Sequence, residues 1–301
     1  MKNPSIPPLQ KGDSVSIVAP AGIVQKENIH RAKKILEDWG LEVKLGKFIF
    51  ASSQVFAGID QQRREDFQWA LDDKTTKAIL CARGGYGSIR IIDDLNFSHF
   101  IKQPKWIVGF SDISVFHSHL FRNFGLPSIH AVMPNSYSTD PDSVAMKSLH
   151  TSLFQTHFQY RFPTHPLSVG GEAKGILTGG NLSILYNLLG TNSDVDWKNK
   201  ILFIEDVGEY YYHLDRMMQA FKRAGKLSQL KGLIAGKFSD MKEGNTAYQK
   251  SAEEIILESI QEYNYPVCFD FSAGHITNNL ALRFGAESQL TVYQDYTEIS
   301  L

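Results

Sequence analysis

The residue of this chain best placed for nucleophilic chemistry is Ser111, which lies between an apolar segment and an amphipathic one. Residues 106–108 (Trp-Ile-Val) have the composition of a buried strand, and the apolar residues after the serine recur at helical spacing. On such a turn the hydroxyl is held clear of the sheet edge, and the N–H groups of the following helix are free to bind an oxyanion. The pattern is compatible with a nucleophile, but a serine that only caps a helix after a strand is commonplace.

The neighbours of Ser111 leave that question open. Gly109 makes room for a tight bend, but Ile113 stands where the nucleophile-elbow pattern G-x-S-x-G has its second glycine. Asp112 is also explained as ordinary first-turn charge that favours the helix dipole. The local pattern alone therefore does not establish catalysis.

A second loop that could hold an anion is Arg-Gly-Gly-Tyr-Gly-Ser at residues 83–88, which follows a strand-like segment. The spacing predicts that it opens a helix containing Ile89, Ile92 and Leu95. It lacks the G-x-G-x-x-G spacing and has no Walker lysine, which disfavours a nucleotide site. Its adjacent N–H groups could form an anion-binding nest and supply half of an oxyanion hole beside Ser111. Without a nucleophile nearby, a tight turn is the better interpretation.

His275 and Glu205 each follow a predicted strand. His275 lies in the polar loop 272–279, where an accessible imidazole of near-neutral pKa suits a general base. Glu205 ends the apolar strand 201–204, where a carboxylate can orient a histidine or cap a turn. No group of Cys, His and carboxylate residues has metal-ligand spacing, so we expect no metal.

The elements that must position these residues alternate from the start of the chain. Strand and helix patterns follow one another at residues 14–19, 25–39, 41–45, 60–71 and 77–82. A β-α-β-α-β order predicts an α/β fold with a parallel sheet covered by helices, in which ligands bind at the carboxyl ends of the strands. Both loops described above lie at that edge.

The chain changes character near residue 160. Prolines and paired glycines between residues 163 and 171 are typical of a linker. We therefore place a boundary there, giving a domain 1–160 that carries Ser111 and a domain 161–301 that carries Glu205 and His275. The pattern of residues 280–301 predicts short strands and turns, which suit a mixed or barrel-like sheet.

Composition excludes several classes of function. The 301 residues carry a formal charge of −1, so no basic field is available for nucleic acid. Residues 1–11 contain three prolines and no apolar core, unlike a signal peptide, and no apolar run reaches transmembrane length. We expect a cytoplasmic protein that binds no membrane. The two cysteines, Cys81 and Cys268, stand in apolar segments and are expected to be reduced core thiols.

Five ordered motifs give the chain a family resemblance: Arg-Gly-Gly-Tyr-Gly at 83–87, Ser111 after Gly-Phe, Gly-Gly-Asn-Leu-Ser at 179–183, Ile-Glu-Asp-Val-Gly-Glu at 204–209 and Gly-His at 274–275. Together they resemble the serine-type LD-carboxypeptidase family, over nearly the whole chain. That family includes muramoyltetrapeptide carboxypeptidases and microcin C self-immunity peptidases. The resemblance implies a flavodoxin-like, parallel-sheet N-terminal domain, a smaller β-rich C-terminal domain and a site between them, usually in a homodimer.

The resemblance also implies a role for each site residue. Ser111 would be the nucleophile, His275 the general base and Glu205 the residue that orients the histidine. The backbone N–H groups of Gly85 and Asp112 would form the oxyanion hole, without a cofactor. The implied substrate is the cytoplasmic murein tetrapeptide L-Ala-γ-D-Glu-(diamino acid)-D-Ala, cut before its terminal D-Ala in peptidoglycan recycling. The sequence departs from the family at Ile276, where a small residue is common.

Three points stay open at this stage. Arg83 could bind the free carboxylate of the substrate, or it could pair with Asp112 or Asp94. A microcin C-type self-immunity peptidase would use the same triad on aminoacyl nucleotide analogues, although the short loops favour a muropeptide. A two-domain ligand-binding protein would also have a cleft between domains, but such receptors are normally exported.

Overall fold

The computed structural model describes residues 6–301, in which helices and strands alternate through the first half of the chain. The strands are β1 Ser14–Val18, β2 Glu42–Leu45, β3 Thr76–Cys81, β4 Trp106–Gly109 and β5 Ser128–His130. The helices are α1 Lys26–Asp38, α2 Asp60–Asp72, α3 Ser98–Lys102, α4 Ser114–Phe124 and α5 Val144–Phe154.

Strands are more frequent in the second half. They are β6 Gln159–Pro163, β7 Gly171–Asn181, β8 Lys200–Val207, β9 Gly232–Ser239, β10 Val267–Cys268, β11 Leu282–Phe284, β12 Glu287–Val292 and β13 Tyr296–Ser300. Three helices lie among them: α6 Leu182–Asn187, α7 Tyr211–Arg223 and α8 Ala252–Ile260.

The first sheet has the order β11-β5-β4-β3-β1-β2, and all of its pairings are parallel except that of β11 with β5. Its central strands are buried along almost their whole length, because helices cover both faces. One apolar cluster includes Ile29 of α1 and Leu149 of α5, and another includes Phe67 of α2 and Phe116 of α4. The predicted α/β fold with a parallel sheet is confirmed.

The second sheet has the order β10-β9-β8-β7-β12-β13-β6, with parallel pairing from β10 to β7 and antiparallel pairing beyond. Helices α6, α7 and α8 pack on one face. On the other face, Phe203 of β8 packs with Phe271 and with Phe284 of β11, a strand that belongs to the first sheet. The two sheets therefore share an apolar joint, and the carboxyl ends of β4 and β8 face the same region. The boundary near residue 160 stays a prediction.

Two predicted elements differ from the observed ones. The helix expected after the loop 83–88, here called the glycine loop, is replaced by two short 3-10 helices, Ser88–Arg90 and Ile92–Asp94. Ile91, which lies between them, and the adjacent Ile92 are both buried. Such a segment cannot keep one helical face towards the core. The strand predicted to precede the loop 272–279 ends already at Cys268, because Asp270 adopts a left-handed φ of 67°.

Two further expectations concern the whole described region. Cys81 and Cys268 are free and buried, as predicted. Within residues 6–301, none of the helices has the length and apolar composition needed to cross a membrane.

Candidate active site

Ser111 lies directly after β4, in a 3-10 turn (Ser111–Ile113) that leads into α4. Its φ is 63°, a left-handed conformation that costs a non-glycine residue about 1–2 kcal/mol. The turn is tight because Gly109 has no side chain: a Cβ there would lie 2.9 Å from the Ile113 side chain. The predicted strand-to-helix turn is thus present, and the surrounding structure holds the serine at its apex in a strained conformation.

The side chains of Ser111, His275 and Glu205 form one hydrogen-bonded chain. The Nε2 of His275 lies 3.0 Å from Oγ of Ser111, although the two residues are 164 positions apart. The Nδ1 of the same ring lies 2.8 Å from Oε2 of Glu205. A carboxylate only accepts, so the ring proton sits on Nδ1 and Nε2 is free to accept the serine proton. The structure thus brings together the three residues singled out from the sequence.

Electrostatics favour the protonated form of His275. Burial by itself lowers the pKa of the ring, but the hydrogen bond and charge of Glu205 outweigh it and the net pKa is raised. Glu205 is wholly buried, whereas the His275 side chain keeps 22% of its accessible surface. The histidine can therefore exchange protons with a bound reactant, while its carboxylate partner is shielded from water.

The glycine loop lies directly against Ser111. A Cβ on Gly84 would stand 3.0 Å from Cβ of Ser111, so only glycine allows this approach. Within residues 6–301, no hydrogen bond is made by the backbone N–H of Gly85 or of Asp112. One free donor belongs to the residue after Gly84 and the other to the residue after Ser111, and free N–H donors are what an oxyanion hole requires.

The side chain of Asp112 ties the two loops together. It is buried, and its Oδ2 accepts a hydrogen bond of 2.8 Å from the backbone N–H of Ser88. Burial raises the pKa of this carboxyl group. The sequence suggested ordinary first-turn charge for Asp112, but its contacts show that it fixes the glycine loop against the serine turn.

Arg63 is a supporting residue that the sequence analysis missed. Its guanidinium is fully buried and donates to the carbonyl oxygens of Pro20, at 2.5 Å, and Gly87, at 2.9 Å, and to the carboxylate of Asp60. It thereby holds the glycine loop in place through the carbonyl oxygen of Gly87. The available signal was its position four residues before Phe67, on the buried face of α2.

A second polar network that the sequence did not reveal joins β7 and β8 to α4. Asp206 accepts from the side-chain amide of Asn181 at 2.9 Å and from the N–H of Ser183 at 2.8 Å. The backbone N–H of Asn181 donates to Oγ of Ser114, at 2.9 Å. Burial and the charge of Glu205 raise the pKa of Asp206 to about 6. A Cβ on Gly180 would overlap Ser114, so a glycine is needed at this contact.

Arg83 lies at the start of the glycine loop and is exposed. It donates to the carbonyl oxygen of Ile23 at 2.6 Å. The suggested ion pair with Asp112 or Asp94 is wrong, because Asp94 pairs with Arg64 and Asp112 lies buried against Ser88. In the part of the chain that the structure describes, no group of three or more His, Cys, Asp or Glu side chains could hold a metal ion.

Comparison with known proteins places this geometry in a family context. Residues 15–131 match the LD-carboxypeptidase N-terminal domain, and residues 174–290 match the LD-carboxypeptidase C-terminal domain. A probable murein peptide carboxypeptidase of Bacillus subtilis is 35% identical over 286 residues, which span 94% of this chain and 90% of that protein.

Solved structures are also similar to this chain in fold. The muramoyltetrapeptide carboxypeptidase of Oxalobacter formigenes superposes with a TM-score of 0.86 at 25% identity, covering 95% of this chain and 98% of its own. The microcin C7 self immunity protein has a TM-score of 0.87, with 99% of each chain covered, but at 18% identity that likeness shows the fold alone. The sequence resemblance is confirmed, and the chain belongs to the LD-carboxypeptidase family of serine-type hydrolases.

Proposed function

We propose that Ser111, His275 and Glu205 are the catalytic triad of this carboxypeptidase, and that the N–H groups of Gly85 and Asp112 stabilise the oxyanion. The observation that carries the proposal is the hydrogen-bonded chain from Ser111 Oγ to His275 Nε2, at 3.0 Å, and from His275 Nδ1 to Glu205, at 2.8 Å. A nucleophile, a base and an orienting carboxylate within hydrogen-bond reach are what acyl transfer requires.

Acylation follows from this arrangement. His275 Nε2 takes the hydroxyl proton as Ser111 Oγ attacks the scissile carbonyl carbon. The carbonyl oxygen becomes an oxyanion held by the two free N–H groups. Collapse of this intermediate breaks the C–N bond, and the imidazolium gives its proton to the leaving amine. The buried charge of Glu205 stabilises the imidazolium between these two proton transfers.

Deacylation repeats the sequence with water. His275 takes a proton from a water molecule, which attacks the acyl-enzyme carbonyl, and the oxyanion forms at the same two donors. Collapse releases the carboxylic acid, and the histidine returns the proton to Ser111. Apart from water and the substrate, the groups that act in this cycle are side chains and backbone N–H groups of the chain.

The proposed substrate is the cytoplasmic murein tetrapeptide, cut between the L-centre of the diamino acid and the terminal D-Ala during peptidoglycan recycling. The names of the Bacillus and Oxalobacter proteins support this class of substrate. We further propose a homodimer, with residues 1–160 and 161–301 forming the two sides of each site. The direct test is D-Ala release from purified tetrapeptide, with Ser111→Ala as the control.

Removal of a single terminal residue requires recognition of its free carboxylate, and we assign this contact to Arg83. A guanidinium binds a carboxylate through paired charge-assisted hydrogen bonds. Amidation of the terminal carboxylate should therefore slow hydrolysis by well over tenfold, and a terminal L-Ala should be rejected. Equal turnover of free, amidated and extended peptides would refute the exopeptidase assignment. Faster turnover of an aminoacyl nucleotide analogue would instead support a microcin-type peptidase.

A further inference from the structure

Asn279 is a buried amide close to the proposed general base. Its side chain is 1% exposed, and its Oδ1 accepts a hydrogen bond of 2.9 Å from the backbone N–H of Gly274. Gly274 immediately precedes His275 and has a φ of 125°. It also lies against the orienting carboxylate, since a Cβ on Gly274 would stand 2.9 Å from Oε2 of Glu205. Asn279 therefore fixes the backbone from which His275 projects.

The same Oδ1 lies 3.3 Å from Nε2 of His130. Because the Gly274 N–H is a donor, the Asn279 atom facing it must be the oxygen, and His130 must then carry its proton on Nε2. Burial lowers the pKa of His130 to about 3, so the ring is neutral and holds only this one proton. The protonation of the pair is thus determined by its contacts.

His130 connects Asn279 to the strand that leads into the nucleophile. It lies on β5, where it is paired in register with Gly109 of β4. Its ring centroid is 5.6 Å from that of Phe110, whose ring is in turn 4.9 Å from that of His275. The Asn279–His130 contact therefore links residues 272–279, here called the histidine loop, to β4, the strand that leads into Ser111.

Other contacts of the histidine loop run to the second sheet. The N–H of Lys237 donates to the carbonyl oxygen of Ala273 at 2.8 Å, and Oγ of Ser239 donates to that of His275 at 3.2 Å. Both donors belong to β9. They fix the loop relative to Glu205, whereas the Asn279 contact fixes it relative to Ser111.

Stability alone does not explain the pair. Within residues 6–301, His130 Nδ1 and Asn279 Nδ2 are both buried without a hydrogen-bond partner. A buried polar atom without a partner is costly, and the pair contains two such atoms beside the bond that Asn279 accepts from Gly274. A polar pair with this cost, next to the proposed catalytic groups, indicates a positional role.

We infer that Asn279, held by His130, is a positioning residue that sets the distance between His275 Nε2 and Ser111 Oγ. This inference rests on the proposed role of His275 as the general base. A base displaced from its hydrogen bond slows proton transfer but leaves substrate binding intact. Loss of the Asn279 oxygen should therefore lower kcat and leave KM unchanged.

The test compares Asn279→Leu with Ser148→Ala. Leucine has a similar size but accepts no hydrogen bond. Ser148 is a matched control, because its buried Oγ accepts the N–H of Ala281 at 2.6 Å, two residues beyond Asn279, without contacting Gly274 or His275. We expect Asn279→Leu to lower kcat for D-Ala release at least tenfold with KM within twofold. Ser148→Ala should keep the wild-type kcat, whatever thermal stability it loses.

Two further variants keep the test decisive. Asn279→Asp restores an acceptor oxygen and should recover kcat at alkaline pH, where His275 is neutral. His130→Phe replaces the imidazole by a slightly larger aromatic ring that cannot make the 3.3 Å contact, so it should give a smaller fall in kcat, and it replaces Asn279→Leu if that variant does not fold. Wild-type kcat in Asn279→Leu, or in His130→Phe as its replacement, would overturn the inference. So would equal losses of kcat in Asn279→Leu and Ser148→Ala. Full activity of Ser111→Ala would instead refute the proposed triad and the inference with it.

Discussion

The Glu205→Gln substitution tests whether the carboxylate of Glu205 orients His275 or is only a buried side chain of β8. The substitution keeps the size and shape of a side chain that is wholly buried, so the fold should be retained. An amide can donate to His275 Nδ1, which places the ring proton on Nε2, facing Ser111. In that tautomer the imidazole cannot accept the serine proton. The variant should therefore bind substrate normally and react slowly.

The magnitude follows from the contact between the carboxylate and the imidazolium. Unit charges separated by the observed 2.8 Å interact by about 6 kcal/mol at an effective dielectric constant of 20. An amide dipole replaces part of this attraction, so roughly 4–5 kcal/mol should be lost. That loss corresponds to a fall in kcat of about 10³–10⁴-fold, comparable to carboxylate-to-amide changes in other serine triads.

The pH dependence of kcat/KM gives a second, independent test of this role, because the direction of its shift is predicted. Glu205 is the main cause of the raised pKa of His275, and burial alone lowers it. In Glu205→Gln, the rise of kcat/KM with pH should therefore shift to lower pH while its plateau falls. The assay is D-Ala release measured from pH 5 to 9. Turnover within tenfold of the wild type, or an unshifted acid limb, would refute the orienting role.

Four other outcomes are expected. Ser111→Ala should lower kcat at least 10⁴-fold in the same assay without lowering the unfolding midpoint, because the hydroxyl contributes to chemistry and little to packing. Ser111→Gly should be equally inactive but about 1 kcal/mol more stable to urea than Ser111→Ala, because glycine relieves the φ of 63°. Asp206 has a pKa of about 6 in the folded protein against an ordinary 3.8, so its stabilising contribution is complete below pH 3.8 and is lost as the pH rises through 6. Urea unfolding of Asp206→Asn should show a weaker pH dependence across that range. Arg63→Met should lower kcat without changing the active-site titration, because it releases the glycine loop; a wild-type kcat would make Arg63 purely structural.

The sequence predicted which residues near strand ends are candidates for the site, but it did not predict the side-chain contacts between them. Ser111, Glu205 and His275 could be singled out because each stands at or beyond the end of an apolar segment of the sequence, and parallel sheets bind ligands at the carboxyl ends of their strands. The resemblance of five ordered motifs then assigned their roles. Their side-chain distances could not be predicted, since those depend on the packing of two sheets.

Buried polar residues were the main omission. Arg63 and His130 stand in amphipathic or apolar segments, and a single sequence does not show which polar side chains enter the core. The helix expected after the glycine loop failed for a related reason, because two adjacent isoleucines both turned inward. Periodicity describes one buried face, and it gives no warning where tertiary contacts bury two.

The entry of β11 into the first sheet has a consequence for how the protein is made. This strand and β12 and β13 lie within residues 282–300, and they complete both sheets. While those residues are still inside the ribosome, β5 has an open edge and β6 lacks its neighbour β13. Ser111 emerges long before His275 can be fixed beside it. The nascent chain should thus remain inert towards peptides until residues 282–300 have emerged and paired.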